Sequence, residues 1–279
     1  MTEAAKLASG KGHRDENFPV ASRLIAARHR PAILAFYAFA RAADDIADHP
    51  TAAPADKLAG LEAMRATRTG ESDAEPTALA LRGALAARGL DATHPLDLLE
   101  AFRRDVTKRR YASWDELMDY CRYSAAPVGR FVLDVHGEDA ARAWPLSDPL
   151  CAALQVINHL QDCGKDYRNL DRVYLPEDML AAAGARVEDL AAPRAAPALR
   201  QVIAALAERC EGLLEESAPF ARAIRDRRLG LEVAVIQRLA LDLARRLRLR
   251  DPLSERVHHG KGEALWLAVP AAIARMVRA

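Results

Sequence analysis

Two short acidic motifs hold the residues best suited to chemistry. The first is Asp44-Asp45-Ile46-Ala47-Asp48. At about 100° per residue, Tyr37, Arg41, Asp44 and Asp48 fall in one helical stripe about 60° wide, with Ile33, Phe36, Ala40, Ala43 and Ala47 forming an apolar stripe beside it. Carboxylates at i and i+4 lie about one turn apart and can share or bridge hard cations. The second runs from Gln155 to Asp166. There Gln155, Asn158, Asp162 and Asp166 share a stripe about 80° wide. Both sit toward the C-terminal ends of expected helices, where the macrodipole disfavours each negative charge by about 0.3–1 kcal/mol. Bound cations would offset that cost. Two such stripes facing each other would hold a polyanion through bridging Mg²⁺, a diphosphate being the natural candidate, with apolar helix faces below to accept a hydrocarbon tail.

The elements that must position these stripes are helices. Apolar residues recur at helical spacing nearly throughout, and alternating β-branched runs are almost absent. The periodicity predicts helices near 19–29, 31–48, 56–68, 76–88, 95–110, 114–137, 148–168, 197–217, 229–250 and 263–278, with breaks at 70–73, Gly89, Gly137 and 191–197. Pro31 suits a first helical position, and Asp148-Pro149 reads as an N-cap followed by proline. No break is long enough for an interdomain linker, so residues 1–279 read as one all-α domain.

Composition bounds the rest. With Lys+Arg 40 against Asp+Glu 39, the net charge of +1 supplies no global field to gather nucleic acid. Four cysteines (Cys121, Cys151, Cys163, Cys210) stand in no metal spacing and read as reduced cytoplasmic thiols. The longest apolar run, Ala264 to Ala274, is eleven residues and contains Pro270, short of the ~20 that span a bilayer. The arginines Arg245, Arg246, Arg248 and Arg250 could touch anionic lipid or form a solvated face. Arg103, Arg104, Lys108, Arg109 and Arg110 read as a basic helix end. His159, on a different face from Asp162, reads as a core or supporting histidine.

Five segments in order resemble the squalene/phytoene synthase family, the head-to-head prenyltransferases of the all-α isoprenoid synthase fold. Asn17-Phe18-Pro19-Val20-Ala21-Ser22 is similar to the family's Ser-Phe-x-x-Ala segment, and Tyr37 through Asp48 to its first aspartate motif. Tyr120-Cys121 with Val128-Gly129 resembles the central Tyr-Cys…Val-Gly segment; Asn158 to Asp166 resembles the second aspartate motif, and Arg172-Val173-Tyr174-Leu175-Pro176 the Arg-Ile-Tyr-Leu-Pro that follows. The resemblance implies a single helical bundle around a central cavity, capped by the two motifs binding Mg²⁺ and diphosphate. Carried over by residue, it makes Asp44, Asp45, Asp48, Asn158, Asp162 and Asp166 the metal set. Tyr37, Tyr120 and Gln155 would line the reacting centre. Arg41 would reach diphosphate, and Asn17, Phe18, Val128, Gln161, Arg172 and Tyr174 complete the substrate set.

The departures narrow the reading. Asn17 stands for the usual Ser, Gln161 for the usual Arg and Lys165 for the usual acid of the second motif. Together with Asp105-Val106-Thr107-Lys108 and Ser124 to Arg130, this pattern resembles the bacterial hydroxysqualene synthase branch, which takes presqualene diphosphate to hydroxysqualene in hopanoid precursor synthesis without a reductant. The resemblance implies a cytoplasmic enzyme, with peripheral contact at the inner membrane face for product release and coupling to a presqualene diphosphate synthase. Two alternatives stay open: a synthase condensing two prenyl diphosphates, and a non-catalytic binding member of the family.

Overall fold

The computed structural model describes residues 25–277, so Asn17, Phe18 and residues 19–24 of the first expected helix lie outside the described residues; 25–29 form a bend and turn. The described residues contain helices and no strand. They form two compact units: residues up to Lys108 together with Pro127–Ala140, and Arg109–Ala126 together with Ala141 onward.

The first unit holds α1 (Arg30–Ala47), α2 (Pro54–Thr69), α3 (Pro76–Ala86) and α4 (Thr93–Thr107), and most of α6 (Ala126–His136). Proline occupies the first turn of α1, α2 and α3, where its missing N–H removes no intrahelical bond. Gly70 ends α2 at φ 92°, a left-handed cap that a Cβ would strain. α1 packs on α2, α3 and α4. Its buried stripe of Ile33, Phe36, Phe39, Ala43 and Ile46 meets Leu61, Met64, Leu81 and Leu98. Phe36 stacks on Phe131 with ring centroids 4.1 Å apart. That burial fixes which edge of α1 its polar residues occupy.

The second unit holds α5 (Trp114–Ser124), α7 (Ala140–Leu170), α8 (Glu177–Ala183), a 3₁₀ turn (Val187–Ala191), α9 (Pro197–Glu216), α10 (Phe220–Ala223), α11 (Arg227–Leu249) and α12 (Lys261–Val277). Ser113 caps α5 by accepting from the Glu116 N–H at 3.3 Å, and Asp226 caps α11 by accepting from Arg228 and Leu229 at 2.9 and 3.0 Å. α11 packs against α9, α10 and α12.

Two expectations need correction. The helix expected over 114–137 is two helices parted at Ala125, because Pro127 lacks the N–H that would continue the ladder and its ring clashes with the preceding turn. The helix expected to start at Pro149 begins at Ala140 and carries Pro145 and Pro149 inside it. The ladder loses two donors, yet buried Leu150, Ala153, Val156, Ile157 and Leu160 hold the helix by packing, which overrides the local breaker. This helix runs to Leu170, so Asp162 lies two turns from its end and only Asp166 stands near the negative pole. For Asp44 and Asp45, in the last turn of α1, the dipole argument holds as expected.

Gly164, inside the second acidic motif, marks a close approach. A Cβ there would sit 2.6 Å from Leu253 Cδ2, 3.0 Å from an Arg168 guanidinium nitrogen and 3.3 Å from the Leu190 carbonyl oxygen. The two side-chain ends can swing away; the carbonyl cannot. Gly164→Ala should therefore destabilise the protein by about 1–3 kcal/mol, an overpacking cost, lowering the melting midpoint followed by circular dichroism.

Candidate functional site

In the first unit, the end of α1 gathers charge. Arg41 bridges two carboxylates, its guanidinium nitrogens lying 2.8 Å from Asp44 Oδ2 and 2.8 Å from Asp45 Oδ1. Asp48 caps the helix, its N–H donating to the Asp44 carbonyl at 2.8 Å. Asp105, buried on α4, joins them electrostatically. The Asp44 carboxyl is pushed up to about 7, first by burial and next by the Asp48 charge; Arg41 pulls it down, and Asp105 and Asp45 push it further up. Solvent reaches a third of the Asp44 side chain (33%), but its surroundings are dense enough that burial still dominates. Arg41 thus meets Asp44 and Asp45 directly, while the charges of Asp48 and Asp105 act on Asp44. All the donors here are carboxylate oxygens, the ligand type that hard divalent cations take, though among the described residues no three of these carboxylates bring oxygens within 4.8 Å of one another.

Tyr37 lies half-buried one turn before Arg41, and Val128 is exposed on α6. Asp105 entered the sequence reading only within Asp105-Val106-Thr107-Lys108, as part of the resemblance, and was not expected in this cluster. Its signal was an acid in line with Leu98 and Ala101 on the buried face of an amphipathic helix.

In the second unit, Gln155, Asn158, Asp162 and Asp166 lie along α7. Asp162 takes no hydrogen bond or ion pair among the described residues, so its half-buried carboxylate is available to a cation. Of the expected basic helix end, Arg104 stands in the last turn of α4 and Lys108 at its C-cap, but Arg109 and Arg110 serve another helix. Arg109 donates to the Leu170 carbonyl at 2.8 Å and Arg110 to the Asp171 carbonyl at 2.6 Å, so both cap the C-terminus of α7.

The same segment builds an aromatic wall. Backbone bonds from Val173 to Arg109 (2.9 Å), Glu177 to Tyr111 (2.9 Å) and Asp178 to Ala112 (3.1 Å) zip it against the Arg172–Pro176 motif. Tyr111 then lies 5.3 Å from Tyr120 and 5.5 Å from Tyr174 between ring centroids, and Tyr174 stacks on His159 at 3.4 Å. Gln155 Nε2 is 3.0 Å from His159 Nε2, and Arg172 donates to the Tyr174 hydroxyl at 3.4 Å. Burial, and then the Arg172 charge, push His159 down to about 3, so the ring is neutral at physiological pH. Of the expected residues, Tyr120, Gln155, Arg172 and Tyr174 are thereby brought together. Tyr111 joins them without having been expected there, and His159 takes the core, supporting place expected of it. Gln161 is buried and donates its side-chain amide to the Val257 carbonyl.

A family model for squalene/phytoene synthase matches residues 12–263. This chain belongs to the squalene/phytoene synthase family. It is 60% identical to the hydroxysqualene synthase of Zymomonas mobilis, covering 98% of this chain and 92% of the relative. It is 58% identical to the hydroxysqualene synthase of Rhodopseudomonas palustris, covering 92% and 88%. Among solved structures it is similar to a squalene synthase from Alicyclobacillus acidocaldarius, with a TM-score of 0.73 and 35% identity over 88% of this chain and 91% of that one. The fold is the all-α isoprenoid synthase fold, and the family acts on prenyl diphosphates.

A carboxyl that keeps its proton to about pH 7 when folded, against 3.8 otherwise, makes the native state bind more protons between pH 4 and 7. Asp44 therefore lowers the stability of the metal-free protein as pH rises through that window. Asp48→Asn should lower the Asp44 pKa, and more than Asp105→Asn does, in a carboxyl-carbon NMR titration.

Proposed function

We propose that this chain is a Mg²⁺-dependent hydroxysqualene synthase, acting as one catalytic domain over residues 1–279. It converts presqualene diphosphate and water to hydroxysqualene and diphosphate. The observation that carries this reading is the 60% identity to a hydroxysqualene synthase over nearly the whole of both chains, with both carboxylate clusters in place. In the reaction the cyclopropylcarbinyl carbon–oxygen bond breaks, the cation rearranges, and water forms the new carbon–oxygen bond and loses a proton. No reductant is consumed. An enzyme that condenses two farnesyl diphosphates must supply the substrate, which makes such a synthase its functional partner.

Asp44, Asp45 and Asp48 would hold one cation, and Asn158, Asp162 and Asp166 another. When bound, the metal supplies Lewis-acid stabilisation of the leaving diphosphate. The protein's own groups do the rest. Arg41 fixes the orientation of Asp44 and Asp45 through paired 2.8 Å contacts. Tyr111, Tyr120 and Tyr174 offer π faces that stabilise positive charge and exclude stray water. His159, held neutral, adds no repulsive charge there, and Gln155 keeps its ring oriented.

Incubation with presqualene diphosphate and Mg²⁺ should yield hydroxysqualene and free diphosphate, and a chelator should stop it. Asp44→Asn and Asp162→Asn should each lower turnover by roughly a hundredfold or more while leaving helical content intact. Formation of a C30 product from farnesyl diphosphate alone would instead assign a condensing synthase. Losses that fail to multiply in the double variant would show that both clusters serve one diphosphate.

The product is a C30 hydrocarbon alcohol, and α12 offers a surface for delivering it to a bilayer. Leu265, Trp266, Val269 and Ile273 are exposed within a stripe about 100° wide, with Leu267 buried on the far side. No helix among the described residues is long and apolar enough to cross a membrane. The nearby arginines are engaged locally: Arg245 and Arg248 lie 3.7 and 3.0 Å from Glu211, and Arg250 3.4 Å from Glu255. Peripheral contact at the inner face of the membrane should therefore draw on apolar area and depend little on salt. Co-sedimentation with phosphatidylglycerol-containing vesicles should persist at high salt and fall in Trp266→Ala.

A further inference from the structure

The segment after α11 lies against the second acidic motif and is fixed at three points. At its start, Asp251 accepts from Leu253 N–H at 3.0 Å, Ser254 Oγ at 2.9 Å and Ala195 N–H at 3.0 Å. In its middle, Val257 is buried and its carbonyl takes the Gln161 amide. At its end, His259 Nε2 lies 2.9 Å from Asp242 Oδ2. Leu253 fills the notch left by Gly164.

Between the last two anchors stands His258, half-buried, with a buried Nδ1 that has no hydrogen-bond partner among the described residues. Leaving such an atom unsatisfied costs about 1–3 kcal/mol, so a fixed segment that presents one needs a reason. Asp162 is near enough for its charge to act on the ring, as are Arg256 and His259. Burial, first, then Arg256 hold His258 below its usual value against the opposing Asp162 charge, which favours the neutral ring with one nitrogen donating. The family's Arg beside the second aspartate is here Gln161, whose amide is spent on the segment.

We propose that Asp251–Gly260 is a fixed strap on which His258 is a further substrate-contacting residue, its Nδ1–H donating to an oxygen of the departing diphosphate, with Gln161 as the positioning residue that holds it there. The inference rests on the proposed function for the identity of the anion.

Calorimetric binding of inorganic pyrophosphate to the full chain in the presence of Mg²⁺ tests it without requiring turnover. His258→Ala should weaken binding about tenfold or more, the worth of one hydrogen bond to a charged group. His258→Asn, whose amide nitrogen mimics Nδ1, should retain most of the affinity, and His258→Gln, whose amide mimics Nε2, should not. That contrast holds even if alanine loosens the strap. Gln161→Leu should weaken binding as His258→Ala does, and the double variant should be no weaker than the weaker single one. Unchanged affinity in His258→Ala, equal affinities for Asn and Gln, or losses that multiply in the double variant would each overturn the proposal. A wild-type chain that binds pyrophosphate but leaves presqualene diphosphate untouched would overturn the proposed function and leave this inference standing.

Discussion

The crowding of carboxylate charge around buried Asp44 at the end of α1 is the constraint on which the site depends. Asp44 and Asp45 paired with Arg41 at the negative pole of α1, with the charges of Asp48 and Asp105 also acting on Asp44, form an arrangement that folding alone disfavours. The apolar stripe of α1 holds it there: Ile33, Phe36, Phe39, Ala43 and Ile46 are locked into the core, so the acidic edge cannot rotate away. The resulting strain appears as a proton that Asp44 retains far above the ordinary carboxylate range. A hard cation bound there would remove it by replacing that proton, so metal binding and deprotonation of Asp44 would be one linked event.

The second acidic motif is managed differently. Asp162 stands well inside a long helix, away from the terminus, and α7 ends on carbonyls capped by Arg109 and Arg110. The same two residues carry the chain on to Tyr111, so the cap and the aromatic wall are one construction. Its rings meet at stacking distances, and its only histidine, His159, is kept neutral. Positive charge on a substrate can be faced by π clouds there without competition from an imidazolium.

How much of this was legible in the sequence depended on range. The helical class, the stripe of Asp44 and Asp48 and the second acidic stripe follow from 3.6-residue periodicity, which needs only neighbours within two turns. The break at Ala125 follows from Pro127, a local signal that the apolar periodicity running through it masks, whereas the survival of a helix through Pro145 and Pro149 turns on burial of residues several turns away, which local rules do not weigh. Asp105 was marked by its segment's resemblance and by its polar type on a buried face, neither of which places it beside Asp44. Tyr111 left no such mark, because its place is set by backbone pairing with Val173 and Glu177, over 60 residues later in the chain. The role of Gln161 was equally hidden, since its partner Val257 lies in a stretch with no motif.

That last case bears on how the chemistry of a family diverges. Exchanging an arginine for Gln161 removes a permanent positive charge from beside Asp162 and supplies an amide that can donate to a backbone carbonyl, which shapes a neighbouring segment and adds no charge. The exchange therefore does two things at once: it leaves Asp162 with surplus negative charge for a cation, and it anchors the strap that carries His258. A neutral donor in place of a fixed cation binds a departing anion less tightly, and water must reach the rearranged cation before the ion pair recombines. On this reading the loss of charge at position 161 and capture of the cation by water are two expressions of one change in the electrostatics beside the second carboxylate motif.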